Sequence, residues 1–159
     1  MNAPSPLGRA ARALFVLALA ATAPLAAATF TIVNLDGAGE GLNDPTPVAP
    51  VGGNSGTTLG QQVLNVYLAA GQFWGNLIES DVIIEVEAQV NPLTCTATGA
   101  TLASAGALTV SRDFTNADFA GSWYQGALAN KLLGADDDGG SSRDLAFRAN
   151  SNIVNNLTY

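Results

Sequence analysis

The chain has 159 residues, thirteen acidic and six basic side chains, and no histidine, for a net charge of −7. Its acidity opposes phosphate backbones and anionic lipid surfaces, and no basic stripe interleaved with aromatics argues for nucleic acid. Without histidine it cannot build a histidine-zinc centre or the usual Ser-His-Asp arrangement, and its one cysteine is too few for a thiolate metal cluster.

The first 28 residues read as a leader. Met1 to Arg12 hold two arginines and no acid, Ala13 to Ala23 form an apolar run, and Pro24 precedes Ala26-Ala27-Ala28. This is the layout of a secretory signal peptide, with cleavage expected after Ala28. The run is about half of the roughly 20 apolar residues that span a bilayer, so a membrane anchor is disfavoured. The expected organisation is 1–28 signal peptide and 29–159 a single α+β domain, secreted or periplasmic, with no membrane segment after cleavage. Arg112, Lys131, Arg143 and Arg148 would then face all thirteen acids, a net charge of −9.

Phe30-Thr31-Ile32-Val33 is β-prone and predicts a first strand. From Leu35 to Gly56, glycine, proline, Asn and Asp predict an extended loop. Its acids Asp36, Glu40 and Asp44 fall four apart, which lacks the alternating oxygen donors of a calcium loop. Thr58, with Gln61 three positions on, forms a capping-box pattern. After it Leu59, Val63, Val66, Tyr67, Ala70, Phe73, Trp74 and Leu77 recur at helical steps, predicting an amphipathic helix over about 59–78 with that stripe facing the core. Gly71 and Gly75 interrupt it, inviting a neighbouring element to approach closely.

Ser80-Asp81 reads as a turn, and Val82 to Val90 alternates as a half-buried strand. Val82, Ile84, Val86, Ala88 and Val90 share one face; Glu85, Glu87 and Gln89 share the other. Paired carboxylates such as Glu85 and Glu87 can do acid–base work, but a solvated face accounts for them without it. Small residues from Thr94 to Val110 predict further strand and turn, and 113–119 a polar loop. A shorter helix is expected over about 123–133 through Tyr124, Leu128 and Leu132. Asp136-Asp137-Asp138-Gly139-Gly140 has a calcium-loop composition, but Ser141 stands where the sixth-position glycine belongs and Phe147 where the closing Glu belongs, so it reads as an exposed turn. The segment 144–159 is ambiguous between strand and frayed end; Asn156-Leu157-Thr158 matches a short glycosylation acceptor. Cys95, unpaired in an exported chain, leaves a buried thiol, a missing partner and an intermolecular partner all open.

Three stretches belong together: Phe30-Thr31-Ile32-Val33-Asn34 with Asp36-Gly37-Ala38-Gly39-Glu40-Gly41 and Asn43-Asp44-Pro45-Thr46; Gly56-Thr57-Thr58-Leu59-Gly60 with Phe73-Trp74-Gly75; and Asn91-Pro92-Leu93-Thr94-Cys95-Thr96-Ala97-Thr98. They resemble the N-terminal region of secreted bacterial zincin-like metallopeptidase proteins that carry a protease-associated (PA) domain. The resemblance covers most of Phe30 to Asn152. It implies a small sheet packed against one helix, an incomplete zincin-like N-terminal subdomain, followed elsewhere by a helix with His-Glu-x-x-His. In that motif two imidazoles one turn apart grip zinc and the glutamate activates water. The sequence holds no such motif and no recognisable PA domain, so no catalytic, cofactor-binding or metal-ligating residue carries over. The resemblance further implies that Cys95 is half of a disulfide with a downstream partner. The expected function is an exported scaffold of a metallopeptidase-like protein, inactive alone and partnered by a downstream domain. The alternative is a standalone secreted binding or interaction module.

Overall fold

The computed structural model describes residues 27–154. The leader up to Ala26 and the glycosylation acceptor at 156–158 lie outside them. The protein is α+β: β1 (Phe30–Asn34), α1 (Leu59–Gly75), β2 (Ile84–Asn91), β3 (Cys95–Thr96), β4 (Gly99–Ala100), β5 (Ala103–Ala107), β6 (Val110–Arg112), β7 (Trp123–Gln125), α2 (Gly126–Leu133), β8 (Leu145–Asn150) and α3 (Ser151–Val154). A main sheet has the order β1-β2-β8-β5, with β1, β2 and β8 parallel and β5 antiparallel at the edge. Two short ribbons, β3–β4 and β6–β7, complete the strands. Among the described residues no helix is long and apolar enough to cross a membrane.

The alternation of β2 is realised residue by residue. Ile84, Val86, Ala88 and Val90 are buried, whereas Glu85, Glu87, Gln89 and Asn91 are half-buried. Register extends the apolar face across the sheet: Ile32 lies beside Val86, Phe147 beside Ala88, and Ala105 beside Phe147. The crossover helix α1 covers part of this face. Leu42, Tyr67, Ala88 and Val90 form the core, with Val63, Leu64, Phe147 and Ala149 packed around them. Tyr67 meets Phe147 edge-to-face at 5.2 Å, and its hydroxyl donates to the Gln89 carbonyl at 3.0 Å. Burial pushes the phenol up to about 12.

The stripe expected to face inward holds only in part: Val63 and Tyr67 of α1 pack on the core, whereas most of the other large residues of both helices stay outside. In α1 the inward positions are Gly60, Tyr67, Gly71 and Gly75, while Val66, Phe73, Trp74 and Leu77 are exposed. A Cβ on Gly71 would lie 3.2 Å from the Cβ of Phe30, and one on Gly75 would lie 2.5 Å from the Ala28 carbonyl oxygen. The glycines therefore set the close approach of α1 to β1, and the bulky residues are left outside. The helix ends at Gly75 rather than Ile78, because Leu77 and Ile78 both donate to the Trp74 carbonyl in a closing turn. The predicted short helix likewise begins as strand β7 and becomes helical only at Gly126. Its buried residues are Gly126, Ala129 and Asn130, with Leu128 exposed, since a Cβ at Gly126 would collide with the Thr109 hydroxyl. Gly134 closes α2 in the left-handed conformation that glycine adopts readily.

The Thr58 cap forms as read, accepting from the Gln61 N–H at 3.2 Å. The reciprocal bond is shifted by one residue: Gln61 Oε1 accepts from the Thr57 N–H at 2.9 Å. The long loop after β1 contains a 3-10 turn, Gly41–Asn43, and is tied down by side chains rather than by regular structure. The ambiguous C-terminal stretch resolves into β8 and α3 up to Val154.

Candidate functional site

Three places gather polar or unsatisfied groups. The first is the loop after β1. Asp36 accepts from the Val90 N–H (3.0 and 3.2 Å to its two oxygens) and from the Leu42 N–H at 2.8 Å. It thereby continues the work of β1 past its end, satisfying a β2 donor that has no strand beside it. Glu40 instead accepts from the Gly37 N–H, and Asp44 from the Thr46 N–H. Hydrogen bonds from the side chain and backbone of Thr46 hold the Asp44 carboxyl below its ordinary range. The three acids are thus spent on separate backbone donors.

The second place is the acidic end of α2. Asp144, 6 % exposed, accepts from the Glu85 N–H at 2.8 Å and from the Asn130 amide at 3.0 Å. Asn130 in turn accepts from the Asp137 N–H, and the Ser111 hydroxyl bonds the Asp137 carboxylate. Burial raises the Asp144 pKa above the ordinary 3.8; the Glu85 N–H opposes that rise, and the neighbouring charges of Asp136, Glu85 and Asp138 add to it. Thr109, Ser111, Asn130 and the aspartates enclose a cavity of about 20 Å³, room for roughly one water. Among the described residues no group of three or more His, Cys, Asp or Glu is arranged to hold a metal ion. The Asp136–Gly140 turn is exposed, as its composition predicts, and Asp138 folds back on the Gly140 and Ser141 N–H groups.

The third place is the sheet itself. On its polar face Glu85 pairs with Arg143 at 2.8 Å, while Glu87 lines a shallow depression of about 500 Å³ with Leu108, Gly140 and Arg143. An arginine claims one of the two carboxylates, so the pair is not arranged for acid–base chemistry. On the apolar face α1 lies over β1, its Tyr67 reaches across to β2 and to Phe147 of β8, and β5 packs appreciably only against β8. Asn150 donates to the Leu102 carbonyl and Leu108 donates to the Asp144 carbonyl, so the even-numbered residues of this stretch face β8. The N–H and C=O groups of Ala103, Ala105 and Ala107 consequently point out along a free edge. Cys95, in the β3–β4 ribbon, is exposed.

Asn130, Asp144 and Asn150 are buried polar residues that the sequence does not single out, and none of their buried side-chain atoms lacks a hydrogen-bond partner. Asn150 accepts from Leu93 and Asn152 and donates to the Thr101 carbonyl at 2.7 Å, fixing the 93–101 excursion to the end of β8. A short polar residue at a strand end reads as loop chemistry, and no signal in the sequence marks these three as interior. Comparison with protein-family models, with curated proteins and with solved structures gives no match to this chain.

Proposed function

We propose that the chain is an exported scaffold of a metallopeptidase-like architecture, silent as a catalyst by itself, which supplies one wall of a substrate cleft. The observation that carries this reading is the free antiparallel edge of β5 beside an apolar sheet face that α1 only half covers. An edge strand with outward N–H and C=O groups can bind an extended peptide by adding it to the sheet. The small side chains of Ala103, Ser104, Ala105, Gly106 and Ala107 leave that approach open. Catalysis would have to come from groups supplied elsewhere, because the sequence has no histidine.

Sequencing the coding DNA beyond the codon for Tyr159 tests the reading. A His-Glu-x-x-His stretch, in frame or frameshifted, together with a second cysteine to pair with Cys95, is the expected result. Unrelated sequence after a genuine stop would sink it. The second reading, a secreted binding module without chemistry, draws support from the same edge, since strand addition alone suffices for binding. Export is tested by N-terminal sequencing of the protein recovered outside the cytoplasm, which is expected to begin at Thr29; recovery of an intact Met1 there would refute the leader.

A further inference from the structure

The exposed side of α1 and the bare part of the sheet lie next to each other, and their chemistry matches. At 100° per residue, Trp74 falls on the flank of α1 that Val63 begins, next to Tyr67, which meets Phe147 of β8 edge-to-face, and Leu77 follows in the closing turn past the helix end. That flank therefore looks toward exposed β5 across β8, whose Phe147 and Ala149 are half-buried against the core. Val66 and Phe73 lie further round, on the back of the helix relative to its own sheet. Val66 and Phe73 are each 61 % exposed, Leu77 62 % and Trp74 53 %.

We infer that this face is a self-association surface, and that two copies of the chain form a two-fold dimer in which the α1 helix of each fills the exposed β5 strip at the edge of the other's sheet. A ridge and a trough side by side on one surface are what an isologous contact requires, because a two-fold axis between them seats each ridge in the other copy's trough. The back of α1, Val66 and Phe73, meets the partner's strip, and the flank, Trp74 and Leu77, meets the partner's α1. Charge singles out the same face. A chain of net charge −7 repels a second copy of itself over most of its surface, yet neither α1 nor β5 contains a charged residue. At about 150–250 Å² for a large side chain, the four exposed residues offer on the order of 450 Å² per copy. A two-fold contact would then bury about 900 Å² before the strip itself is counted, close to the roughly 1,000 Å² that a specific interface needs. The free edge of β5 stays outside this contact, so the inference goes beyond the peptidase-like reading and does not rest on it.

Sedimentation velocity of the full chain over a concentration series tests it, with Phe73→Glu and Leu77→Glu as interface variants. Leu68→Glu serves as the control, because Leu68 is half-exposed on the opposite flank of the same helix. The expected result is a wild-type dimer, a Leu68→Glu dimer, and interface variants whose dimer dissociates at least about 30-fold more readily, the effect of losing an interface hot spot. Circular dichroism shows whether each variant keeps its fold. A wild-type monomer throughout the series overturns the proposal, as does equal association of Phe73→Glu, Leu77→Glu and wild type. A monomer would leave the DNA test of the peptidase-like reading untouched.

Discussion

Asp36 and Asp144 hold the sheet from opposite ends of β2. Asp36 receives the Val90 and Leu42 N–H groups, and Asp144 receives the Glu85 N–H. Asp36→Ala leaves two part-buried donors without acceptors, and each such loss costs about 1–3 kcal/mol. The expected result is a loss of roughly 2–6 kcal/mol in denaturant unfolding, with an unchanged slope; a loss within error of zero would mean that water replaces the carboxylate without cost. Asp144 makes the opposite kind of statement. Its folded-state pKa lies above the unfolded value because the carboxylate is buried. The folded state therefore binds its proton more readily than the unfolded state does, and stability falls as pH rises from near 3.8 through the raised value. Asp144→Asn removes this dependence, so the difference in stability between wild type and variant should shift in favour of the variant as pH climbs through that window. Parallel unfolding curves for the two proteins across it would count against the buried charge.

At the scale of elements, much of the architecture is legible and the facing of the helices only in part. Alternation from Ile84 to Val90 identifies β2 and its buried side because a half-buried strand leaves no other pattern. The Thr58 cap marks the start of α1 by local hydrogen bonding, which needs no tertiary partner. The close approach at Gly71 and Gly75 and the inward Tyr67 are legible, but the exposure of Val66, Phe73 and Trp74 and the Gly126–Ala129–Asn130 face of α2 are not, because periodicity takes every large apolar residue as inward. Strand is expected somewhere in 94–110, but the bounds and the edge position of β5 are hidden, since a run of Ala, Ser and Gly marks neither. Close approach makes a specific prediction. Glycine-to-alanine changes inside a helix ordinarily gain about 1 kcal/mol, but Gly75→Ala would press a methyl against the Ala28 carbonyl, and overpacking costs about 1–3 kcal/mol. In the chain that retains Ala28, Gly75→Ala is therefore expected to lower the melting temperature, while Gly71→Ala, which needs only a few tenths of an ångström from Phe30, should be near neutral. A Gly75→Ala protein that melts higher than wild type would refute the packing of α1 on β1.

For the whole molecule, the polar networks close on themselves. Among the described residues no buried side-chain nitrogen or oxygen lacks a partner. The acidic clusters are built into backbone support rather than held open for a metal, so zinc or calcium at millimolar excess should leave the melting temperature unchanged; a ligand-dependent rise would reveal a site. The chain with zinc added should cleave no peptide, and turnover that resists chelator and repeated purification would contradict the scaffold reading.

The burial of Ala28 bears on the order of events in the life of the chain. Its N–H donates to the Ile78 carbonyl at 2.8 Å, and its own carbonyl lies under Gly75. The carbonyl of the Ala28–Thr29 bond, where the leader is expected to be cut, is thus covered once α1 settles against β1, although Thr29 stays exposed. A processing enzyme would have to reach that bond before folding closes it, so a version of the chain that folds before export would be expected to resist maturation and to keep its leader.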